Sequence, residues 1–353
     1  MQAIHALMTS TAVLGRLYDQ SVNYFFADSL PVQPGGYPVY MIGGTEYKVE
    51  STGNSSDAQR VSDQFRFELD AIPWITERSG FELIPTTGTG RKADVDSSGF
   101  LAPKEKAVVS GFSSDSGWGG TLRATQMMTA NGMIRKAKLL NQFNPQAEAE
   151  ILSLFTDSLS SPLSIHNMIS RAKGVAGRSF GASQAGWAMA QLAKPYIDTH
   201  LAMDWGLSRQ LVKDLLNKSG GKGLLVYVPV RLAISRWIDV SVHKSRILDL
   251  FRTVPQFLGI VGADVFDSYY LVAASEDYLY VMDPQTTEAS QEVVSADNKK
   301  RVFRSQPDLV AMRWRRLASG MMYGFLLISE QDVNEMADAV EKIGTQIGFA
   351  ITK

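Results

Sequence analysis

Apolar residues recur with two different periods along the chain. From Thr121, the run TLRATQMMTANGMIRKAKLL sets Leu122, Met127, Ile134, Ala137 and Leu140 at roughly helical spacing, which predicts a helix. Similar spacing predicts helices over residues 1–27, in the stretch AQRVSDQFRFELDAI after Ser56 and Asp57, and at 145–158, 182–196, 207–218 and 330–347. Short β-branched or aromatic runs come mostly later: GLLVYVPVRLAI, FLGIVGA, YYLVAAS, YLYVMD and YGFLLIS, with turn residues between them. PVYMIGGTEYKV reads as a hairpin around Gly43 and Gly44. Helices early and strands late predict an α+β fold, one domain over 1–353, with a mostly antiparallel sheet packed on helices. Residues 86–106 are poor in apolar positions and rich in turn formers, so they read as a surface loop.

Composition removes whole classes of chemistry. The 353 residues are 45% hydrophobic and 20% charged, ordinary for a globular core, and the net charge of −1 gives no general pull towards nucleic acid. No apolar run is long enough to span a bilayer. The stretch MQAIHALMTSTAVLGRLYDQ has only Arg16 as a basic residue and makes a poor signal or transit peptide. There is no cysteine, which excludes disulfides, thiolate metal sites and any cysteine nucleophile in these residues. The four histidines, His5, His166, His200 and His243, lack ligand spacing, so neither a metal nor another cofactor is expected. Two small basic clusters, Arg313 with Arg315 and Arg316, and Lys299 with Lys300 and Arg301, read as solvated faces.

The stretch GFSSDSGWGGTLRATQMM, residues 111–128, is a glycine turn running straight into a helix. Such a turn presents a side chain or bare amides, yet Gly120 at the helix start has no side chain. A phosphate loop is a weak reading, because the Lys-Ser/Thr of a P-loop and the G-x-G-x-x-G spacing are both missing.

Four blocks, in order, carry a resemblance: PWITERSGFELIP (73–85), SSDSGWGGTLRATQMMTAN (113–131), PQFLGIVGA (255–263) and YLYVMDPQTTE (278–288). They resemble the signature blocks of the autophagins, papain-like cysteine proteases that trim and delipidate ubiquitin-like, GABARAP-type modifiers. PVYMIGGTEY, GRSFGASQAGWAMAQ, VPVRL and GFLLISEQDV extend the likeness over most of the chain. The resemblance implies a papain-like fold and a cytoplasmic protein; the lack of cysteine leaves an organellar, mitochondrial setting as the alternative.

It also implies a damaged site. The nucleophilic cysteine of the family matches Gly120, and its general-base histidine matches Gln285, an amide that takes up no proton near neutral pH. The aspartate of the same block is kept as Asp283, which a D-P turn explains equally well. A tyrosine near the oxyanion matches Glu77, whose charge would oppose the transition state. The lid tryptophan matches Ser183, with Trp187 four residues on, and the apolar wall of the groove is expected around Trp118. Ser113, Ser114 and Ser116 read as turn residues, and one helical step of about 100° turns Thr121 away from the cleft. Asp115 is expected to cap the helix or take turn amides, and Phe81 and Ile84 to be core. The expectation is a pseudoprotease whose partners are proteins: a larger assembly, or a ubiquitin-like modifier bound without cleavage. Peptidase activity with altered chemistry ranks behind both.

Overall fold

The structure, a computed structural model, describes residues 39–48, 55–85, 111–203, 205–263, 268–285, 288–289 and 310–352. The helix expected over 1–27, the loop at 86–106 and the basic cluster at 299–301 lie outside them. Among the described residues, the helices are α1 (Ser55–Asp70), α2 (Gly120–Leu139), α3 (Pro145–Ser153), α4 (Ile165–Ala172), α5 (Ala182–Leu192), α6 (Arg209–Lys218), α7 (Val240–Thr253) and α8 (Glu330–Ile343).

One large sheet organises them. Its path runs β12 (Val310–Arg313), β10 (Tyr278–Met282), β9 (Ser268–Ala274), β8 (Phe257–Ala263), β13 (Gly320–Leu327), β7 (Leu224–Arg231), β5 (Asp198–Leu201). Every pairing along it is antiparallel except β5 with β7. The expected hairpin is present as β1 (Val39–Ile42) and β2 (Thr45–Lys48) and joins the sheet where Met41 meets Ala274. A smaller sheet sets β3 (Arg78–Pro85) between β4 (Gly111–Ser114) and β11 (Glu288–Ala289), and β6 (Gly206–Ser208) pairs with β14 (Ala350–Thr352). This is the α+β arrangement that the order of patterns predicts.

Both faces of the sheet are covered. One apolar cluster joins α1, α2, α4 and α5 to residues such as Leu225, Tyr227, Tyr270 and Met322; the other joins α6, α7 and α8 to Val226, Ile260 and Phe325. The alternation along β7 and β13 divides each strand between the two cores. Helix α2 is the central one. It is buried on nearly every side, so its apolar period is weak and its polar residues must find partners inside. Thr129 Oγ1 lies 2.8 Å from the Tyr227 hydroxyl, and Asn131 Nδ2 donates to the Tyr270 hydroxyl at 2.8 Å.

Several boundaries differ from the sequence reading for local reasons. Helix α3 stops at Ser153, because the chain turns there and carries Asp157 towards α2. Helix α6 starts after Ser208, whose hydroxyl accepts from the Leu211 amide, and α8 ends before Gly344 at φ +91°. Helices α4 and α7 and strand β3 were not anticipated. The first two have readable caps: Ser164 accepts from the Asn167 amide, and Asp239 from the Ser241 amide. Phe81 and Ile84 are buried, as expected of core residues.

Two glycines let α2 lie close to the sheet. A Cβ on Gly132 would fall 2.6 Å from Leu225 Cδ2, and one on Gly324 would collide with Met128 Sδ. Gly324→Val should therefore destabilise the protein by about 1–3 kcal/mol through overpacking. A urea-unfolding midpoint equal to the parent's would show that α2 does not rest on β13 there.

Candidate active site

The turn before α2 is built around Asp115. Its carbonyl accepts the Trp118 and Gly119 amides at 3.1 and 2.8 Å, which closes the turn. Its fully buried carboxylate accepts the Arg78 amide at 2.5 Å and Arg123 Nε at 2.7 Å. The side chain thus reaches β3 and α2, whereas a cap or turn-amide acceptor was expected; the carbonyl does the turn work. A Cβ on Gly119 would strike the Asp115 carboxylate, and Gly117 sits at φ +80°, so both need glycine.

Arg123 extends the cluster. Its Nη1 donates to Asp157 at 2.8 Å and to Gln126 Oε1 at 3.2 Å, while Gln126 Nε2 donates to the Leu163 carbonyl. Arg78 Nε lies 3.9 Å from Asp157. Burial alone would push the Arg123 guanidinium down, but Asp115 and Asp157 outweigh it and hold the charge. Sequence reasoning missed this clasp. The signal was there: an arginine and a glutamine three residues apart inside an apolar helix need buried partners.

Gly120 differs from its glycine neighbours. It opens α2, and no side chain caps that end. A Cβ built on it would lie 3.5 Å from Ser268 Cβ and 3.7 Å from Pro284 Cγ, which is ordinary contact, and its φ is not in the left-handed range. Nothing in the local geometry demands glycine there. A side chain at 120 would point between β9 and the D-P-Q segment.

That segment follows β10. Asp283 Oδ1 accepts the Gln285 amide at 2.9 Å, the bond of a D-P turn, and the Asp283 carbonyl accepts Trp74 Nε1 at 2.5 Å. Glu77 joins the two halves. Its amide donates to the Pro284 carbonyl at 2.6 Å, and its buried carboxylate accepts the Gly117 amide at 3.0 Å. The structure therefore brings Gly120, Glu77, Asp283 and Gln285 into one neighbourhood.

Thr121 behaves differently from the sequence expectation. Its hydroxyl lies 2.7 Å from Ser268 Oγ, the serine that faces the Gly120 Cβ position, so the extra helical step leaves it beside that space. Ser268 itself was not foreseen. Ser114 Oγ donates to the Arg78 carbonyl and accepts the Ser116 amide, a turn role as read.

Trp118 is buried. Its Nε1 donates to the Ser114 carbonyl at 3.0 Å, and Phe112 packs edge-on against its ring at 5.8 Å. Gly177, from the segment before α5, is so close to the Phe112 ring that a Cβ would collide with it. Ser183 lies exposed in the first turn of α5, and Trp187 is partly exposed on the same helix. Of the histidines, His166 and His243 bond to the Glu82 and Gln346 carbonyls, and burial lowers His200. Among the described residues no cluster of His, Cys, Asp or Glu fits a metal.

A profile of the Peptidase C54 catalytic domain matches residues 62–339, more than half of the chain. The chain belongs to this family, the autophagins. The probable cysteine protease ATG4 of Podospora anserina is 27% identical over 299 residues, covering 79% of this chain and 57% of the relative. The probable cysteine protease ATG4 of Pichia angusta is 28% identical, over 66% of this chain and 48% of its own. The cysteine protease atg4 of Emericella nidulans is 23% identical over 84% of this chain and 81% of its own. The chain thus spans about half the length of the first two relatives. Among the described residues no helix is long and apolar enough to cross a membrane.

Removing Arg123 should uncouple the turn from α2. Arg123→Met leaves Asp115 and Asp157 buried without their shared cation, and should cost about 3–5 kcal/mol. Denaturant unfolding followed by tryptophan fluorescence reads this. A loss below about 1 kcal/mol, the scale of an exposed pair, would deny the clasp its role.

Proposed function

We propose that this chain is a catalytically inactive autophagin that serves as a protein-binding or structural subunit. One observation carries the reading. The residue at the helix N-terminus is a glycine where the backbone and the surrounding space accept a side chain. A thiol there would feel the positive end of the helix, which favours the thiolate. The chain has no cysteine to supply it.

Three further observations support the same reading. Gln285 stands where a proton acceptor is needed, and its amide does not titrate near neutral pH. The buried Glu77 carboxylate already holds a turn amide, so negative charge sits where an oxyanion would need donors. The Thr121 and Ser268 hydroxyls bond to each other, and no described histidine bonds to either.

Of the two non-catalytic roles, packing at Trp118 favours the structural one. Trp118 is buried in the core and packed edge-on by Phe112, which leaves its indole closed to an extended tail. Calorimetric titration with a GABARAP-type modifier should accordingly show no binding. Micromolar binding that disappears on changing Trp118 would reverse this choice in favour of a non-cleaving modifier binder.

Reversion tests the catalytic reading. Gly120→Cys alone has a thiol but no imidazole to protonate the leaving amine, and Gln285→His alone has no nucleophile. Both should stay at background in a fluorogenic cleavage assay, because such residues act as a unit. The double variant should turn over slowly. Adding Glu77→Gln keeps an acceptor for the Gly117 amide while removing the charge, and should raise the rate further. A single variant as active as the double one would contradict the assigned roles.

A further inference from the structure

A hollow of about 320 Å³ opens where four separate segments converge. Trp205 comes from just before β6, Arg231 and Leu232 from the end of β7, His243 from α7, and Gly348 and Phe349 from just before β14. Phe349 belongs to the apolar cluster of α6, α7 and α8, so the hollow lies on the face of the sheet opposite α2 and Gly120. Its size is at the small end of the range for ligand sites, enough for one small molecule.

Trp205 is held out over this hollow at a cost. It sits at φ +57° and is 66% exposed. A bulky aromatic residue in the left-handed region is an outlier, and such strain gathers where function retains it. The Trp205 carbonyl accepts the Ala350 amide at 3.1 Å, which pins the backbone to β14 and leaves the indole at the rim.

Arg231 supplies a cation that the protein itself does not match. Its Nε donates to the Ala233 carbonyl at 3.1 Å and its Nη2 to the Ile234 carbonyl at 3.2 Å. Both acceptors are neutral and lie in the turn after β7, so they aim the guanidinium without cancelling its charge. Among the described residues its Nη1 has no partner, and no Asp or Glu lines the hollow. Asp239, one turn before His243, is committed to the Ser241 amide and hydroxyl. His243 Nδ1 donates to the Gln346 carbonyl at 2.6 Å, which leaves Nε2 as a second polar point on the wall.

From this unmatched cation beside a strained, exposed indole, we propose that the hollow binds a small ligand carrying one carboxylate on a flat apolar body. The carboxylate meets the free edge of the Arg231 guanidinium, and the body lies against Trp205 and Leu232. The proposal is independent of whether the cleft at Gly120 is active. Two sources supply this chemistry: a free aryl carboxylic acid, or the C-terminal aromatic residue of another protein.

The test uses the full chain, with 3-phenylpropanoate as the probe and its neutral amide as the control. Saturation-transfer NMR of the ligand protons should show the acid binding with a dissociation constant of about 1 mM, the scale of a fragment. The amide should bind about tenfold more weakly. Arg231→Gln should erase the preference for the acid, and Trp205→Ala should weaken acid and amide alike by about fivefold or more. Thermal melts of both variants establish that the fold is kept. N-acetylphenylalanine separates the sources. Binding tighter than that of 3-phenylpropanoate supports a protein C-terminus, and binding no tighter supports a free acid. No binding of the acid up to about ten times the expected constant would overturn the proposal. Equal affinity for acid and amide, a preference that survives Arg231→Gln, or affinities unmoved by Trp205→Ala would each overturn it too.

Discussion

The guanidinium of Arg123, clasped between the Asp115 and Asp157 carboxylates, fixes everything that faces the cleft. Three chain segments meet at this one buried charge: the glycine turn, helix α2, and the turn that follows α3. Through Asp115 and Asp157 it also reaches β3 by way of Arg78. Two cations and two anions share an interior with little water, so each is tolerable only while its partners stay in place. That mutual dependence gives the turn one geometry. It holds Gly117 against Glu77 and sets the start of α2 beside Pro284, whatever residue occupies position 120.

A frame held in this way does not depend on a nucleophile or a base at its centre. The contacts that position the site are carried by Asp115, Arg123, Asp157 and Trp74, none of which is a nucleophile or a base here. On the proposed reading, a thiol at 120 and an imidazole at 285 would contribute nothing to this packing. Glu77 goes further, because its carboxylate and amide tie the turn to the D-P-Q segment and make the cleft part of the scaffold. The Peptidase C54 match covers most of the chain, and at the centre of that fold the Glu77 and Asp283 carboxylates each hold a backbone amide.

Much of this was legible in the sequence, and the part that was not has a physical reason. Period and turn chemistry located α2, α5, α8 and the five long strands of the main sheet, because each buries one face or is buried throughout. Helix α4 was overlooked because it spans only eight residues, and α7 because its apolar residues are interrupted by His243, Lys244 and Arg246. Strand β3 pairs with partners distant in sequence, which no local pattern records. At the site, the glycine turn and the D-P-Q motif were visible as strings. Ser268 beside Thr121, and Phe112 edge-on to Trp118, depend on tertiary contacts that no local string records.

The measurement closest to the central claim is a single-turnover reaction of the unmodified chain. The protein is mixed in stoichiometric excess with a GABARAP-type precursor, and the intact mass of the precursor is followed for many hours. Stoichiometric excess makes the first turnover the readout, so product release and recycling set no limit. The account predicts a precursor mass that never changes, indistinguishable from precursor incubated alone. Release of the C-terminal fragment in a first-order phase, abolished by changing Thr121 or Ser268, would contradict it and show that a hydroxyl has taken over where Gly120 left no side chain.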